Sequence, residues 1–348
     1  MPAEVPLTPR AAERVARESA TQKFEPATRA LTIDWGVDPA RPLHPEQVRR
    51  WAEAIGAALA CRRDAEALAC RRGVRPEPPA NAPELLVVGM DGGRWQGREK
   101  DPETASRWHE DKVLTVSSYL PGDGKGPEHG GRAPAKLVTT QVATARDAAA
   151  FGPLAAAEAE RRGLRTAKVV IGLGDGGNWI DPLFARHIRP DARILDWCHA
   201  SQHLWDSAKA AHGPGTPQAA QAGERLEALL WDGRVAEVVE ALRAESHRMG
   251  PPTDSDPPGH PRRVLATDAE YFTRHAAHMN YPEYRRRGWP IASGDTEAAV
   301  KQVGKRVKGS EQFWTEEGVE AVLALRCLWL CQDGRWDRHW ANRPAYVN

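Results

Sequence analysis

The chain has 348 residues, and its charges nearly cancel, with 48 Lys and Arg against 47 Asp and Glu. That length suffices for a substantial core, in one large domain with an insertion or in two to three domains, and the balance excludes a global cationic field. Five cysteines without a Cys-x-x-Cys pair exclude a disulfide framework or zinc ribbon. The start is not a signal peptide and no uncharged apolar stretch approaches ~20 residues, so a soluble, cytoplasmic protein without a membrane partner is expected.

Residues 10 to 66 read as helical. Two short apolar-periodic runs precede Gly36, and a longer one begins at Pro45 and repeats Val48, Trp51, Ala52, Ile55 and Leu59. A helix, a glycine break and a second helix carrying Arg49 and Arg50 is compatible with a helix-turn-helix DNA-binding region over 1–71, or with an ordinary helical cap. The Pro-rich 72–83 reads as a linker. Strands are predicted at 84–90, 107–120 and 135–143, then a helix over 148–163, a strand ending at Asp175, a strand over 192–195 and a helix after it. Residues 213–288 read as an all-helical insertion and 289–348 as the last helices. The class is α/β, a mixed sheet with flanking helices.

Two of these strands, ELLVVGMDGG and KVVIGLGDGG, run a β-branched stretch into a glycine-flanked aspartate, Asp91 and Asp175. Asp-Gly is a common turn dipeptide, which explains either one alone. Bare glycines beside the acid also leave room for a ligand to approach closely. A third acid, Glu297, stands in the first turn of a predicted helix in PIASGDTEAAVKQVGKRVKG. On a wheel Val300, Val303 and Val307 share one side, whereas Glu297, Lys301, Lys305 and Lys308 gather within roughly 80° of arc on another. Alone, that face reads as solvated, with a Glu297–Lys301 pair. Asp295, Glu316 and Glu317 read as helix-terminal acids. Together, two aspartates on strand ends and a glutamate on a packing helix are what two Mg²⁺ (or Mn²⁺) ions need for phosphoryl transfer, with the lysines on DNA phosphates.

The strings VVGMDGGRW, VVIGLGDGGNWI, ILDWCHASQHLW, PIASGDTEAAVKQVGKRVKG and WTEEGVEAVLALRCLW occur in the order seen in insertion-sequence transposases of the DDE type. The chain resembles those of the ISKra kind, themselves distantly similar to Mutator-type transposases, over residues 84 to 340. The resemblance implies a ribonuclease-H-like fold with a helical insertion before the last acid, which suits the 122-residue separation of Asp175 and Glu297. It assigns Asp91, Asp175 and Glu297 as metal ligands for two ions, and matches Asp196 and His199 to an Asp-x-x-His string near the site. It further implies assembly as a homo-oligomer on double-stranded DNA, at element ends and target, in a nucleoid-associated setting. Such relatives carry more sequence at the N-terminus, including a Cys-rich segment, so a late start or truncated frame is expected here. A nuclease of the same fold that does not join strands, and a remnant that only binds DNA, are the alternative functions. His199 and His203, four apart on one helix next to Cys198, could also hold zinc or serve only as core hydrogen-bonding groups.

Overall fold

The computed structural model describes residues 7–38, 40–102, 104–125, 130–309 and 311–341. Five strands form one mixed sheet of order β3-β2-β1-β4-β5. β1 (Leu85–Gln96), β2 (Trp108–Leu120) and β3 (Ala135–Thr144) make an antiparallel meander, while β4 (Val169–Gly174) runs parallel to β1 and β5 (Ala192–Leu195) parallel to β4. Parallel neighbours need crossovers. The first is α4 (Ala148–Arg161); the second is α5 (Ile180–Leu183) with a π-turn at Phe184–Ile188. Order and senses are consistent with a ribonuclease-H-like sheet.

β1 is apolar on both sides because both sides are covered. Leu86, Val88 and Met90 pack with Phe151, Leu154 and Phe184 on one face. Leu85 and Val87 pack on the other with Leu204, Leu230 and Phe272. That second face carries α6 (Trp197–His212), α7 (Pro217–Trp231), α8 (Val235–Met249), α9 (Pro261–His275), a short 3-10 turn at Ala276–His278, and α10 (Tyr281–Arg286). The meander half of the same face is covered by α11 (Gly294–Val307) and α12 (Glu316–Leu330), through Trp95, Val113, Val303, Val319 and Val322.

α12 is buried from Gly318 to Cys327 almost without interruption. A helix apolar on every side needs neighbours on every side. The sheet supplies one, and α1 (Pro9–Thr21), α3 (Pro45–Arg71), α11 and α13 (Arg335–Ala341) supply the others, with α2 (Phe24–Asp34) packed on α1 and α3. Val15, Leu31, Val48, Ile55, Leu325, Trp336 and Trp340 form that shared core. Arg306 donates through Nε to the Ser19 carbonyl, and Arg326 Nη1 donates to the Ala20 carbonyl at 2.9 Å, so two guanidinium groups meet the negative end of α1. Among the described residues no helix is long and apolar enough to cross a membrane.

Candidate active site

Asp91 lies inside β1 rather than at its end. β1 continues to Gln96, paired with β2 throughout, and Asp91 stands opposite Val113. The strand that does end is β4, whose last residue Gly174 pairs with Met90. Asp91 and Asp175 are thus the next residues on adjacent parallel strands, with Cα atoms about 5 Å apart by sheet geometry. Asp91 stays in the β1–β2 ladder, on the face of Leu85 and Val87 that the helices cover, whereas Asp175 is the first residue past the ladder of β4.

Glu297 arrives on α11, and Gly89 sets how closely. A Cβ built on Gly89 would lie 2.0 Å from Thr296 Oγ1 and 2.7 Å from Thr115 Oγ1. Those two hydroxyls share a buried 2.8 Å hydrogen bond that pins α11 to β2 across the bare backbone of β1. Thr296 is the residue before Glu297, so the contact seats the first turn of α11 over β1 two residues before Asp91.

The charges of Asp175 and Glu297 are both felt at Asp91. The Asp91 carboxyl is pushed up to about 6, first by burial and then by the like charges of Asp175 and Glu297, against the Gly92 amide and His199, which lower it. Gly92 N–H donates to Asp91 Oδ1 at 2.6 Å, Gly177 N–H to Asp175 Oδ1 at 3.0 Å, and Lys301 Nζ to Glu297 Oε2 at 3.0 Å. Among the described residues no donor reaches the other oxygen of any of the three. The oxygens of the three acids do not all lie within 4.8 Å of one another, but each acid has an oxygen lacking a protein donor, which is the ligand type that a hard divalent cation takes while keeping several waters.

Asp196 has no exposed surface. Its Oδ1 accepts from the His199 amide at 2.8 Å, capping α6, and its Oδ2 accepts from the Ser293 amide just ahead of α11. One buried carboxylate therefore joins the start of α6 to the start of α11. His199 stays partly exposed and close enough to lower the Asp91 carboxyl. The Asp-x-x-His string thus provides a brace and an imidazole at the same cluster.

Several expectations are corrected by packing. Asp295 is not a cap: Tyr119 O–H donates to one of its oxygens and Lys136 Nζ to the other at 2.7 Å, tying α11 to β2 and β3. Gly176 leaves room for protein rather than ligand, because a Cβ there would stand 3.0 Å from His275 Nε2 and from Leu195, and 3.1 Å from Tyr271. Its φ of +86° also suits glycine. Cys198, His199 and His203 do not converge as a zinc site: the His203 imidazole bonds Asp268 Oδ1 at 2.8 Å and stacks on Tyr271.

Sequence reasoning missed the supports of this loop. Asp268 also accepts from Ser207 Oγ at 2.6 Å, and Tyr271 O–H donates to the Asp175 carbonyl at 2.7 Å. Asp268 holds the His203 imidazole above its usual pKa. The pair contributes stability fully present below the unfolded histidine value near 6.5 and lost as pH rises through the higher folded one. Wild type should therefore lose more stability than His203→Gln between pH 6 and pH 9, read as urea midpoints; equal losses would remove the pair as the cause.

A fourth carboxylate was missed as well. Asp111 on β2 is 2% exposed, pairs with Gly93, and is pushed up to about 6 by burial, with Glu110 and Asp91 adding to it. Its place on the same face as Val113, two residues away on a strand, was the available signal.

The basic candidates divide. Arg49 is held by Glu46 and by Glu53, with Nη1 2.6 Å from Glu53 Oε2, so its charge is neutralised on its own helix. Arg50, Lys301, Lys305 and Lys308 are exposed. Lys308 lies over the exposed ring of Trp108 at 5.9 Å.

A scan against protein-family models finds no match. A search of the curated proteins likewise finds none. Among solved structures the chain is loosely similar to one titled Drosophila P element transposase strand transfer complex, at 9% identity and a TM-score of 0.38, covering 93% of each chain.

Proposed function

We propose that this protein is a divalent-metal-dependent DNA-cleaving and strand-transferring enzyme of the DDE transposase type. The observation that carries the reading is the gathering of Asp91, Asp175 and Glu297 from β1, the loop after β4 and α11, close enough that two of them raise the carboxyl of the third. A structural role explains such a cluster poorly, because like charges brought near one another at half-buried positions oppose folding.

Asp91, Asp175 and Glu297 would hold two Mg²⁺ or Mn²⁺ ions, which when bound stabilise charge on the attacking and leaving oxygens of a phosphodiester. The chain's own groups do the rest. Asp196 keeps α6 and α11 in register, so that Glu297 does not drift from Asp91. Tyr271 and the Gly177 amide hold the Asp175 loop. His199 faces the cluster from α6, and Lys301, Lys305 and Lys308 extend one cationic line along α11 where a DNA backbone would pass. The partners proposed are double-stranded DNA, as element end and as target, and further copies of this chain.

The test is cleavage of an end-labelled duplex carrying the element's own terminus, with Mg²⁺ or with EDTA. Metal-dependent nicking supports the reading, and joining of a pre-cut 3′-hydroxyl end to a second duplex establishes transfer. Nicking without joining leaves a nuclease; no nicking by folded protein overturns the proposal.

Lys301 allows a separate measurement. Its side chain is 73% exposed beside Glu297. Lys301→Ala should weaken duplex binding on all sequences alike and flatten the slope of log K against log salt by about one unit. Anisotropy titrations at several salt concentrations read this; an unchanged slope would mean that Lys301 meets no phosphate.

A further inference from the structure

Behind the Asp175 loop lies a second group of donors, of different chemistry. Asp181 on α5, His275 at the end of α9 and His278 in the following 3-10 turn each offer a ligand atom within 4.8 Å of the others. The His275 side chain is 3% exposed, yet neither ring nitrogen has a hydrogen-bond partner. Nδ1 stands 3.4 Å from Asp181 Oδ2 without hydrogen-bond alignment. A buried imidazole left in that state is costly unless something else occupies it. A separation of 3.4 Å is also the ligand–ligand edge of a tetrahedral site with bonds of about 2.0–2.1 Å.

We propose that Asp181, His275 and His278 bind one borderline divalent cation of the zinc class, at a site separate from the three-carboxylate cluster. Two imidazoles and one carboxylate suit zinc better than magnesium, which prefers oxygen throughout. Three protein ligands leave a fourth position for water. Arg193 is the opposing charge. Its Nε donates to Asp181 Oδ1 at 2.7 Å, which leaves Oδ2 for the metal and orients the carboxylate as outer groups of metal sites do. The site would clamp the last helical turn before α10 to α5. Since His275 Nε2 lies 3.0 Å from a Cβ built on Gly176, the clamp sits directly under the residue after Asp175.

The experiment uses tag-free full-length protein, stripped with chelator, saturated with Mg²⁺ to fill the hard site, then given Zn²⁺ or Co²⁺ and gel-filtered. Wild type should retain about one equivalent of Zn²⁺, and Co²⁺ should give the visible band of a tetrahedral site. His278→Asn, at a partly exposed position, and Asp181→Asn, which keeps an oxygen for Arg193, should each bind at least about tenfold more weakly. Glu297→Gln should bind as wild type does. X-ray absorption on the wild-type zinc protein needs no variant to fold and should show a nitrogen and oxygen shell with two imidazoles. Failure of wild type to retain metal, unchanged retention in both ligand variants, or sulfur in the first shell would overturn the proposal.

Discussion

Asp91→Asn is expected to abolish DNA cleavage and to stabilise the fold at the same time. Loss of one ligand from a site that acts on reacting charge should cost roughly 10³-fold or more in rate. Asp175→Asn and Glu297→Gln should match it. The stability change has the opposite sign because the Asp91 carboxyl is raised from 3.8 to about 6 by burial and by the two neighbouring acids. The folded protein holds that proton more tightly than the unfolded chain. Wild-type stability from this group is therefore complete below pH 3.8 and is lost as pH rises toward about 6. At about 1.4 kcal/mol per unit, the ionised group costs on the order of 1–3 kcal/mol at neutral pH, and the amide does not ionise. Melting temperatures of wild type and Asp91→Asn should coincide near pH 4 and separate by neutral pH, with the variant higher. Mg²⁺ should raise wild type toward the variant and leave the variant unmoved. A variant that melts below wild type at neutral pH, or that still cleaves, would make Asp91 a structural residue.

Gly89→Ala, which touches no acid, is expected to remove most activity. Its methyl would stand 2.0 Å from Thr296 Oγ1 and 2.7 Å from Thr115 Oγ1, in the buried bond that seats α11. Neither threonine has a flexible end to yield, so α11 must move. A misplacement of about 1 Å can cost on the order of 10²-fold in rate, and overpacking typically costs about 1–3 kcal/mol. Because the nearest atom is a side-chain oxygen, Gly89→Ala with Thr296→Ala should recover part of both losses: the remaining contact to the Thr296 position is its Cβ at 3.3 Å. Cleavage rates and thermal melts of the two variants check this. Wild-type rates in Gly89→Ala would show that Glu297 does not depend on how α11 meets β1.

The amino-acid sequence by itself determined the parts whose signal is local. β-branched runs bounded by glycine and proline placed four of the five strands and the start of β1 to within a few residues, and a 3.6-residue period placed Val303 and Val307 inward on α11 with Lys301, Lys305 and Lys308 outward. Such patterns are legible because each residue's environment repeats along its own element. What the fold does with those elements was not legible. β1 runs on past Asp91 because β2 is long enough to pair with it, a fact held by another segment. Asp295 and Glu297, two residues apart, diverge because Tyr119 and Lys136 meet one and the carboxylate cluster the other. The Asp181–His275–His278 group carries no local mark, since its members are brought together from far along the chain, and Asp111 shows only by sharing a strand face with Val113. Periodicity records which side of an element is inside. Only tertiary packing decides which charges share that inside, and burial with like charge is what raises the Asp91 carboxyl.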